Sequence, residues 1–392
     1  MTKKPKTRNH RYHLRNWSEY NSALKARGSL TIWMDESAID NWVKKRKPGE
    51  KRPRGAQVFY SDTAIRCMLT IRAVFHLSLR ATEGFASSVL ELMQLAGRLP
   101  ERLETPDHTT ISRRGRKLHV DLGVHHNGTH NSKESLHLLV DSTGLKLCGE
   151  GEWTVKKYGP VKQGKRAKQG KRGKQGKERK QGKERRQGKQ RRQRKWLKLH
   201  LLVDGKTLEI REVATSDQHA SDSKEFVKLL HEETDPIATV KGDGAYDTHE
   251  AYDAVRERAE HPVAIFPPRR ARRGGTKPRP DRGHPRAEDR RVNPGGYRHH
   301  IWQHGNRKAP PLDRDRHVRR IREVGRKRWK EEVGYHERSL VETEIFRFER
   351  IFGPSLSARD DATRETEVRI KAAALNRMTL LGMPDSYLVQ AA

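Results

Sequence analysis

The chain contains Leu138-Leu139-Val140-Asp141-Ser142-Thr143-Gly144, an apolar run followed by an acidic residue and small polar residues. The apolar run predicts a buried strand that ends in an aspartate and in residues that favour a turn. The same order of strand, acid and glycine-containing turn recurs in Val240-Lys241-Gly242-Asp243-Gly244-Ala245-Tyr246-Asp247. Two strands of this kind predict a sheet that carries an acidic side chain, Asp141 or Asp243, at the end of each.

A third segment supplies another carboxylate. Tyr335, Arg338 and Glu342 follow one another at helical spacing, so the three side chains can share one face of a helix. Two strand-end aspartates and one helix glutamate can hold a pair of divalent cations for phosphodiester chemistry. An aspartate after a strand is, however, more often a turn former, and a plain ion pair between Arg338 and Glu342 would have the same spacing. From spacing alone, both interpretations stay open.

The overall charge favours a polyanionic partner. Lysine and arginine number 84 against 50 acidic residues, a net charge of +34, and nucleic acid is the most common polyanion that such proteins bind. Only two cysteines are present, which excludes a disulfide framework and a cysteine-rich zinc module. No run approaches the roughly 20 apolar residues that a membrane helix requires, and no apolar run follows the basic N-terminal residues. We therefore expect a soluble cytoplasmic protein, associated with the nucleoid and not with a membrane.

The pattern along the chain predicts an α/β domain that follows a helical region. Residues 133–381 contain strand patterns at 136–150 and 196–215 and then helix, strand, helix and strand, which indicates a mixed sheet with flanking helices. Residues 161–195 repeat Lys, Gln, Gly and Arg and lack the apolar residues of a core, so we expect a disordered basic insertion. Residues 271–298 are rich in Arg, Gly and Pro and predict a second, flexible insertion.

Residues 1–125 predict a helical DNA-binding region. Pro106 can begin a helix whose later turns carry Arg113, Arg114 and Arg116, the composition of a recognition helix in a helix-turn-helix unit. A solvated basic helix that packs on its apolar neighbours would have the same composition. The segment alone does not separate the two.

An ordered series of motifs resembles bacterial insertion-sequence transposases of the DDE class, specifically the insertion-sequence-five group. The resemblance covers nearly the whole chain outside the two insertions. Its motifs are RNWSEYN at 15–21, GSLTIW at 28–33, LRATEGF at 79–85, DSTGLK at 141–146, GEGEW at 149–153, DGAYD at 243–247, IWQHGNR at 301–307, RSLVET at 338–343 and ALNRM at 374–378.

The resemblance implies an RNase H-like catalytic domain in which Asp141, Asp243 and Glu342 bind two Mg²⁺ ions, with Mn²⁺ as a substitute. It also implies that Tyr335 and Arg338 contact DNA, since they match the family's tyrosine–arginine–glutamate helix motif. The implied activity is metal-dependent cleavage at the ends of a DNA element, followed by attack of the freed 3′-hydroxyl on target DNA. The implied partners are double-stranded DNA (the terminal inverted repeats and the target) and further copies of the chain in a homo-oligomer.

The chain departs from the family pattern at one position. The motif ordinarily ends in a lysine seven residues beyond the glutamate, and Glu349 stands there in this sequence. Two alternatives to a working transposase therefore remain. One is a catalytically weakened or inactive transposase-derived DNA-binding protein, and the other is an RNase H-like nuclease that cuts without rejoining.

Overall fold

A computed structural model gives the fold of the chain. It describes residues 11–34, 36–44, 59–99, 103–123, 135–147, 196–269 and 312–389. Both predicted insertions, 161–195 and 271–298, lie outside these ranges, and so does the first part of the predicted N-terminal region.

The N-terminal part of the chain is helical apart from one short strand, β1 (Arg11–Leu14). Its helices are α1 (Trp17–Ala26), α2 (Leu30–Trp33), α3 (Glu36–Asp40), α4 (Asp62–Val74), α5 (Leu79–Leu95) and α6 (His108–Gly115). Side chains that precede three of the helices cap them, because Ser61, Ser78 and Asp107 each accept a hydrogen bond from a backbone N–H of the first turn.

The remainder begins with three strands and continues with helix, strand, helix and strand, as the pattern predicts. Its elements are β2 (Leu136–Leu147), β3 (Trp196–Asp204), β4 (Ile210–Asp217), α7 (Asp222–Glu232), β5 (Ile237–Lys241), α8 (His249–Arg256), β6 (Val263–Ile265), α9 (Asp313–Glu332), α10 (Ser339–Phe352), β7 (Ser355–Leu356), α11 (Asp361–Leu381) and β8 (Ser386–Val389). Short 3₁₀ turns at Gly244–Tyr246 and Tyr335–Arg338 precede α8 and α10.

Six strands form one mixed sheet. Five lie in the order β4-β3-β2-β5-β6, and β7 pairs with the far end of β2. Strand β3 runs antiparallel to both of its neighbours, β2 and β4. Strand β5 runs parallel to β2, and β6 runs parallel to β5. Helices lie on both faces, so the predicted mixed sheet with flanking helices is confirmed. Strands β1 and β8 form a separate antiparallel pair that joins the two ends of the described chain.

The prediction that Asp141 ends its strand is wrong. Strand β2 continues to Leu147, and Asp141 lies at its centre, opposite Leu201 of β3. The strand continues because β3 pairs with it as far as Lys146, and because Leu145 is fully buried. Gly144, interpreted as a turn residue, lies instead under the Trp196 ring, where an added Cβ would be 3.4 Å from a ring carbon.

The alternation of β2 decides which way Asp141 faces. Leu138 and Val140 belong to a core that packs against α7 and α8, whereas Leu139 and Leu145 belong to the core on the opposite face. Successive side chains of a strand point to opposite faces, so Asp141 shares the face of Leu139 and Leu145. That face packs against α10 and α11 through Val341, Phe348 and Leu375, and the same core includes side chains of the N-terminal helices.

No helix in the described ranges is both long enough and apolar enough to cross a bilayer.

Gly242 offers a test of how tightly the chain packs before Asp243. A Cβ at this position would lie 2.7 Å from Tyr246 Cδ2, 2.9 Å from Val140 Cγ1 and 3.1 Å from Phe266 Cε1. We expect Gly242→Ala to lower the free energy of unfolding by about 1–3 kcal/mol, the usual cost of overpacking a core. The measurement is urea denaturation of the full chain.

Gly84→Ala is the matched control, because Gly84 lies within α5 and an added Cβ meets nothing within 4 Å. Alanine there should stabilise the protein by about 0.5–1 kcal/mol. Equal effects of the two substitutions would contradict the packing that the structure gives to Gly242.

Candidate active site

One arginine joins two of the three predicted carboxylates. The Arg338 Nη1 donates to Asp141 Oδ2 at 2.8 Å, and its Nη2 donates to Glu342 Oε1. Asp141 comes from the middle of β2 and Glu342 from the first turn of α10, so the fold brings together residues that are far apart in the chain. Arg338 is only partly exposed, whereas Glu342 projects from the helix towards solvent.

The carboxyl of Asp141 experiences several opposing influences. Burial raises the pKa of Asp141, while the backbone N–H of Ser142 and the Arg338 guanidinium act to lower it. The negative charges of Asp243 and Glu342 raise it further. The net shift is upward, and its causes show that the charges of Asp243 and Glu342 both act on Asp141.

Asp243 comes close to Asp141 because their strands are parallel neighbours. Leu139 of β2 is paired with Lys241 of β5. Asp141 lies two residues after Leu139, and Asp243 lies two residues after Lys241. The prediction that Asp243 follows the end of a strand is confirmed, since β5 stops at Lys241. Its Oδ1 then accepts a hydrogen bond from Ala245 N at 2.6 Å and caps the 3₁₀ turn.

A buried ion pair fastens the Asp243 turn. Asp247 Oδ1 accepts from Arg314 Nε at 2.8 Å, and both side chains are only 3% exposed. The other oxygen, Asp247 Oδ2, accepts from the backbone N of Arg269 at 2.9 Å. The Arg269 side chain in turn donates to the carbonyl oxygens of Gly244 and Ala245. Asp247 was given no role by the sequence pattern, although it closes the same DGAYD motif that contains Asp243.

The three carboxylates form a donor set of the right chemical class for Mg²⁺ or Mn²⁺, which prefer oxygen ligands. In the part of the chain that the structure describes, however, no three His, Cys, Asp or Glu side chains are arranged to hold a metal ion. The guanidinium of Arg338 lies between Asp141 and Glu342 and offsets their charge. The residues therefore fit a divalent cation in type, and the Arg338 guanidinium donates a hydrogen bond to one oxygen of each of the two carboxylates.

Tyr335 lies beneath the site and not on an exposed helical face. Its side chain is buried beside Trp329, with ring centroids 6.1 Å apart, and Lys330 Nζ lies 4.7 Å from the centre of its ring. Burial raises the pKa of the phenol, as do the nearby charges of Asp243 and Asp141, whereas Arg338 opposes the shift. The phenol therefore stays protonated at neutral pH and keeps a proton to donate.

The arginines of α6 have different surroundings. Arg114 donates to Tyr60 O at 2.5 Å and also pairs with Asp62, which ties α6 to the start of α4. Arg116 follows the helix directly, and its Nε lies 3.5 Å from Asp360 Oδ1. Arg113 is exposed, and among the described residues no ion pair of its side chain is found. Of the three arginines, Arg113 is therefore the one whose side chain forms no ion pair within the described residues.

Glu349 lies on the same face of α10 as Glu342, two turns further along. Its Oε1 accepts a hydrogen bond from Thr143 Oγ1 at 3.1 Å, and Thr143 is two residues beyond Asp141 on β2. The negative charge of Glu349, at the position where the motif ordinarily has a lysine, is thus accommodated by this hydrogen bond between α10 and β2.

Two family models match the chain, and both describe a transposase DDE domain. One covers residues 25–150 and the other covers residues 132–377. No solved structure was found to match the chain significantly. The second match spans more than half of the 392 residues, so the chain belongs to the DDE transposase family, enzymes that cleave DNA and transfer its strands with divalent metal ions.

The two aspartates of the DGAYD motif can be separated by their effects on stability. Asp247→Ala leaves the buried Arg314 without this partner, and we expect it to lower the free energy of unfolding by about 3–5 kcal/mol. Asp243→Ala removes a cap from a short turn and should cost only about 1 kcal/mol. Urea denaturation of both variants provides the comparison. A loss at Asp243 as large as that at Asp247 would mean that Asp243 is structural.

Proposed function

We propose that this transposase cleaves the ends of a DNA insertion element and joins them to target DNA, with Asp141, Asp243 and Glu342 as its catalytic and metal-binding residues. The observation that carries the proposal is the contact of Arg338 with both Asp141 and Glu342. It brings the helix glutamate to the strand aspartate, while the parallel neighbour of that strand delivers Asp243.

We also infer that the α/β region is an RNase H-like domain. The strand order β4-β3-β2-β5-β6 supports this, as do the three antiparallel strands at the start and the two parallel strands that follow. The first aspartate lies on the central strand, the second follows the adjacent parallel strand, and the glutamate comes from a helix that covers that face.

Magnesium is the proposed cation, with Mn²⁺ as a substitute, because the ligands are carboxylate oxygens. When bound, a pair of such ions activates the attacking oxygen and stabilises charge on the leaving oxygen. The chain's own contribution begins with Arg338 and Tyr335, which supply a cation and a phenolic donor beside the carboxylates. Released from Asp141 or Glu342, the Arg338 guanidinium can bind a phosphate of the DNA in bidentate fashion.

The reaction needs no external energy source. In the first step, a water oxygen bonds to phosphorus and the bond from phosphorus to the 3′-oxygen breaks, which leaves a 3′-hydroxyl and a 5′-phosphate. In the second step, that 3′-hydroxyl oxygen bonds to a phosphorus of the target and the target's own 3′-oxygen leaves. One phosphodiester bond forms as another breaks, so the number of such bonds is conserved in the joining step.

The proposed partners are double-stranded DNA, at both element ends and target, and further copies of the chain assembled on it. The net charge of +34 supports a DNA partner, since neutralised phosphates release their counterions. This charge also supports association with the nucleoid.

Removing the carboxylates tests the catalytic assignment. Asp141→Ala, Asp243→Ala and Glu342→Ala should each abolish Mg²⁺-dependent cleavage and joining of DNA that carries the element's ends. Affinity for the same DNA should stay within about threefold, because lysines and arginines hold the phosphates. Asp217→Ala is the matched control, since Asp217 is also a strand-end aspartate but lies exposed at the end of β4.

Full cleavage by the Glu342→Ala protein would overturn the assignment.

Glu349 favours a second candidate, a transposase-derived protein that occupies element ends without cutting them, because it adds negative charge where the family carries a lysine. Tight, specific binding without cleavage by the unaltered chain would identify that case, and cleavage without joining would identify a nuclease.

We further propose that the N-terminal helices, with Arg113, Arg114 and Arg116, recognise the element's ends. The exposure of Arg113 on α6 supports this role for it, whereas the contacts of Arg114 with Tyr60 and Asp62 support a part in holding the helix in place. Because the N-terminal helices share a core with the sheet, the full chain is the appropriate material for the test.

Arg113→Ala should weaken binding to the terminal repeat by about 1–3 kcal/mol if the side chain contacts a base edge, with a much smaller loss on scrambled DNA. Fluorescence anisotropy on both DNAs at several salt concentrations provides the measurement. Arg256→Ala, at an exposed arginine of α8, is the control. Equal losses of Arg113→Ala on both DNAs would reduce Arg113 to a general phosphate contact.

A further inference from the structure

Lys241 holds the glutamate-bearing segment against the sheet, and we propose that it is a positioning residue for the active site. Its role is to fix where Arg338 and Glu342 lie relative to Asp141 and Asp243. The inference rests on the proposed function of the three carboxylates and adds a residue that touches none of them.

The geometry of Lys241 is that of a buried tether between two elements. Its side chain is 6% exposed, and its ammonium donates to Glu337 Oε2 at 2.6 Å and to Gly334 O at 3.2 Å. Lys241 is the last residue of β5, whereas Gly334 and Glu337 belong to the turn between α9 and α10. The contact therefore fastens the start of α10 directly to the sheet.

The position of the tether along each element matters. Lys241 precedes Asp243 by two residues, and Glu337 directly precedes Arg338. Glu337 is held by β5 and Arg338 is held by Asp141 of β2, so neighbouring residues of one turn are attached to neighbouring strands. Two attachment points fix the direction in which the turn enters α10, and Glu342 follows within the first turn of that helix.

The backbone conformation of Gly334 is a second observation that the turn packs closely against the Lys241 ammonium. Its φ of 60° is left-handed, and an added Cβ would lie 3.1 Å from Glu337 Oε1 and 3.3 Å from Lys241 Nζ. A residue with a side chain would be strained by this backbone conformation and crowded by the ion pair. The glycine lets the backbone approach the lysine closely enough for its carbonyl to accept a hydrogen bond.

The Lys241–Glu337 ion pair is a poor source of stability, because Lys241 loses its hydration while the Glu337 carboxylate, 56% exposed, remains in contact with water that screens the attraction. An apolar side chain of similar length could fill the same space. Such a side chain would form no directional hydrogen bonds. The Lys241 ammonium, by contrast, donates to both Glu337 Oε2 and the Gly334 carbonyl, and it can do so only when both oxygen atoms lie close to it. The pair therefore specifies the position of the turn more than it stabilises the fold.

The test compares Lys241→Met with Lys371→Met in the full chain. Lys371 is buried to the same extent as Lys241, with 6% side-chain exposure, and its Nζ lies 2.8 Å from Glu367 Oε1 within α11; its carboxylate partner is 7% exposed, whereas Glu337 is 56% exposed. Its Nζ also donates to a backbone carbonyl, that of Ser355, so the two lysines have the same kinds of partner. Glu337→Gln, which keeps the length of the side chain and removes its charge, is a second variant at an exposed position.

Three quantities are measured: the melting temperature, the affinity of the DNA-free protein for Mn²⁺ by electron paramagnetic resonance, and the rate constant for cleavage at saturating DNA. We expect Lys371→Met to lower the melting temperature, because it leaves the buried Glu367 carboxylate without its cation, whereas Lys241→Met should lower it less, because Glu337 is exposed. Only Lys241→Met should weaken Mn²⁺ binding and slow cleavage, each at least tenfold, with DNA affinity within twofold of the unaltered chain. Glu337→Gln should change both in the same direction, and Lys241→Arg should recover part of each loss.

Unchanged Mn²⁺ affinity in both Lys241→Met and Glu337→Gln would overturn the proposal. So would equal losses in Lys241→Met and Lys371→Met, because general destabilisation would then account for them. If Lys241→Met fails to fold, Glu337→Gln decides the matter by the same criteria. An unaltered chain that binds Mn²⁺ but cuts no DNA would refute the proposed function, whereas the Mn²⁺ comparison would still test the role of Lys241.

Discussion

The contact of Arg338 with Asp141 and Glu342 is the interaction on which the site depends. Burial raises the pKa of Asp141, and repulsion from the charges of Asp243 and Glu342 raises it further. A guanidinium between Asp141 and Glu342 offsets the repulsion and holds α10 over β2 in the same contact. Arg338 thus stabilises the close arrangement of Asp141 and Glu342.

The surroundings of this contact are arranged to keep the backbone in place. Asp247, Arg314 and Arg269 hold the turn that carries Asp243, and Lys241 holds the turn that carries Arg338. Gly242 lies between these two supports in a space that admits no side chain. In the site we propose, the acids are therefore held in place by groups to which we assign no chemical part in the reaction, as is general for sites built on rigid elements.

Much of this architecture follows from local sequence pattern. The apolar runs predict the strands of the mixed sheet, and the glycines after Lys241 predict the turn that presents Asp243. The pattern failed at Asp141, because Ser, Thr and Gly favour turns locally while pairing with β3 keeps residues 141–147 extended. The contacts of Lys241 and Arg114 could not be predicted, since each partner comes from a distant part of the chain and neither has a recognisable spacing. The helical spacing from Tyr335 to Glu342 suggested a shared face, yet a 3₁₀ turn begins the segment and packs Tyr335 into a small core beside Trp329.

The most direct test of the account is a crystal structure of the full chain grown with Mn²⁺, with the ions located by anomalous scattering. We expect Mn²⁺ to be bound by oxygen atoms of Asp141, Asp243 and Glu342, with the Arg338 guanidinium moved away from at least one of the two carboxylates that it contacts. Mn²⁺ bound elsewhere, while Arg338 still bridges Asp141 and Glu342, would contradict it.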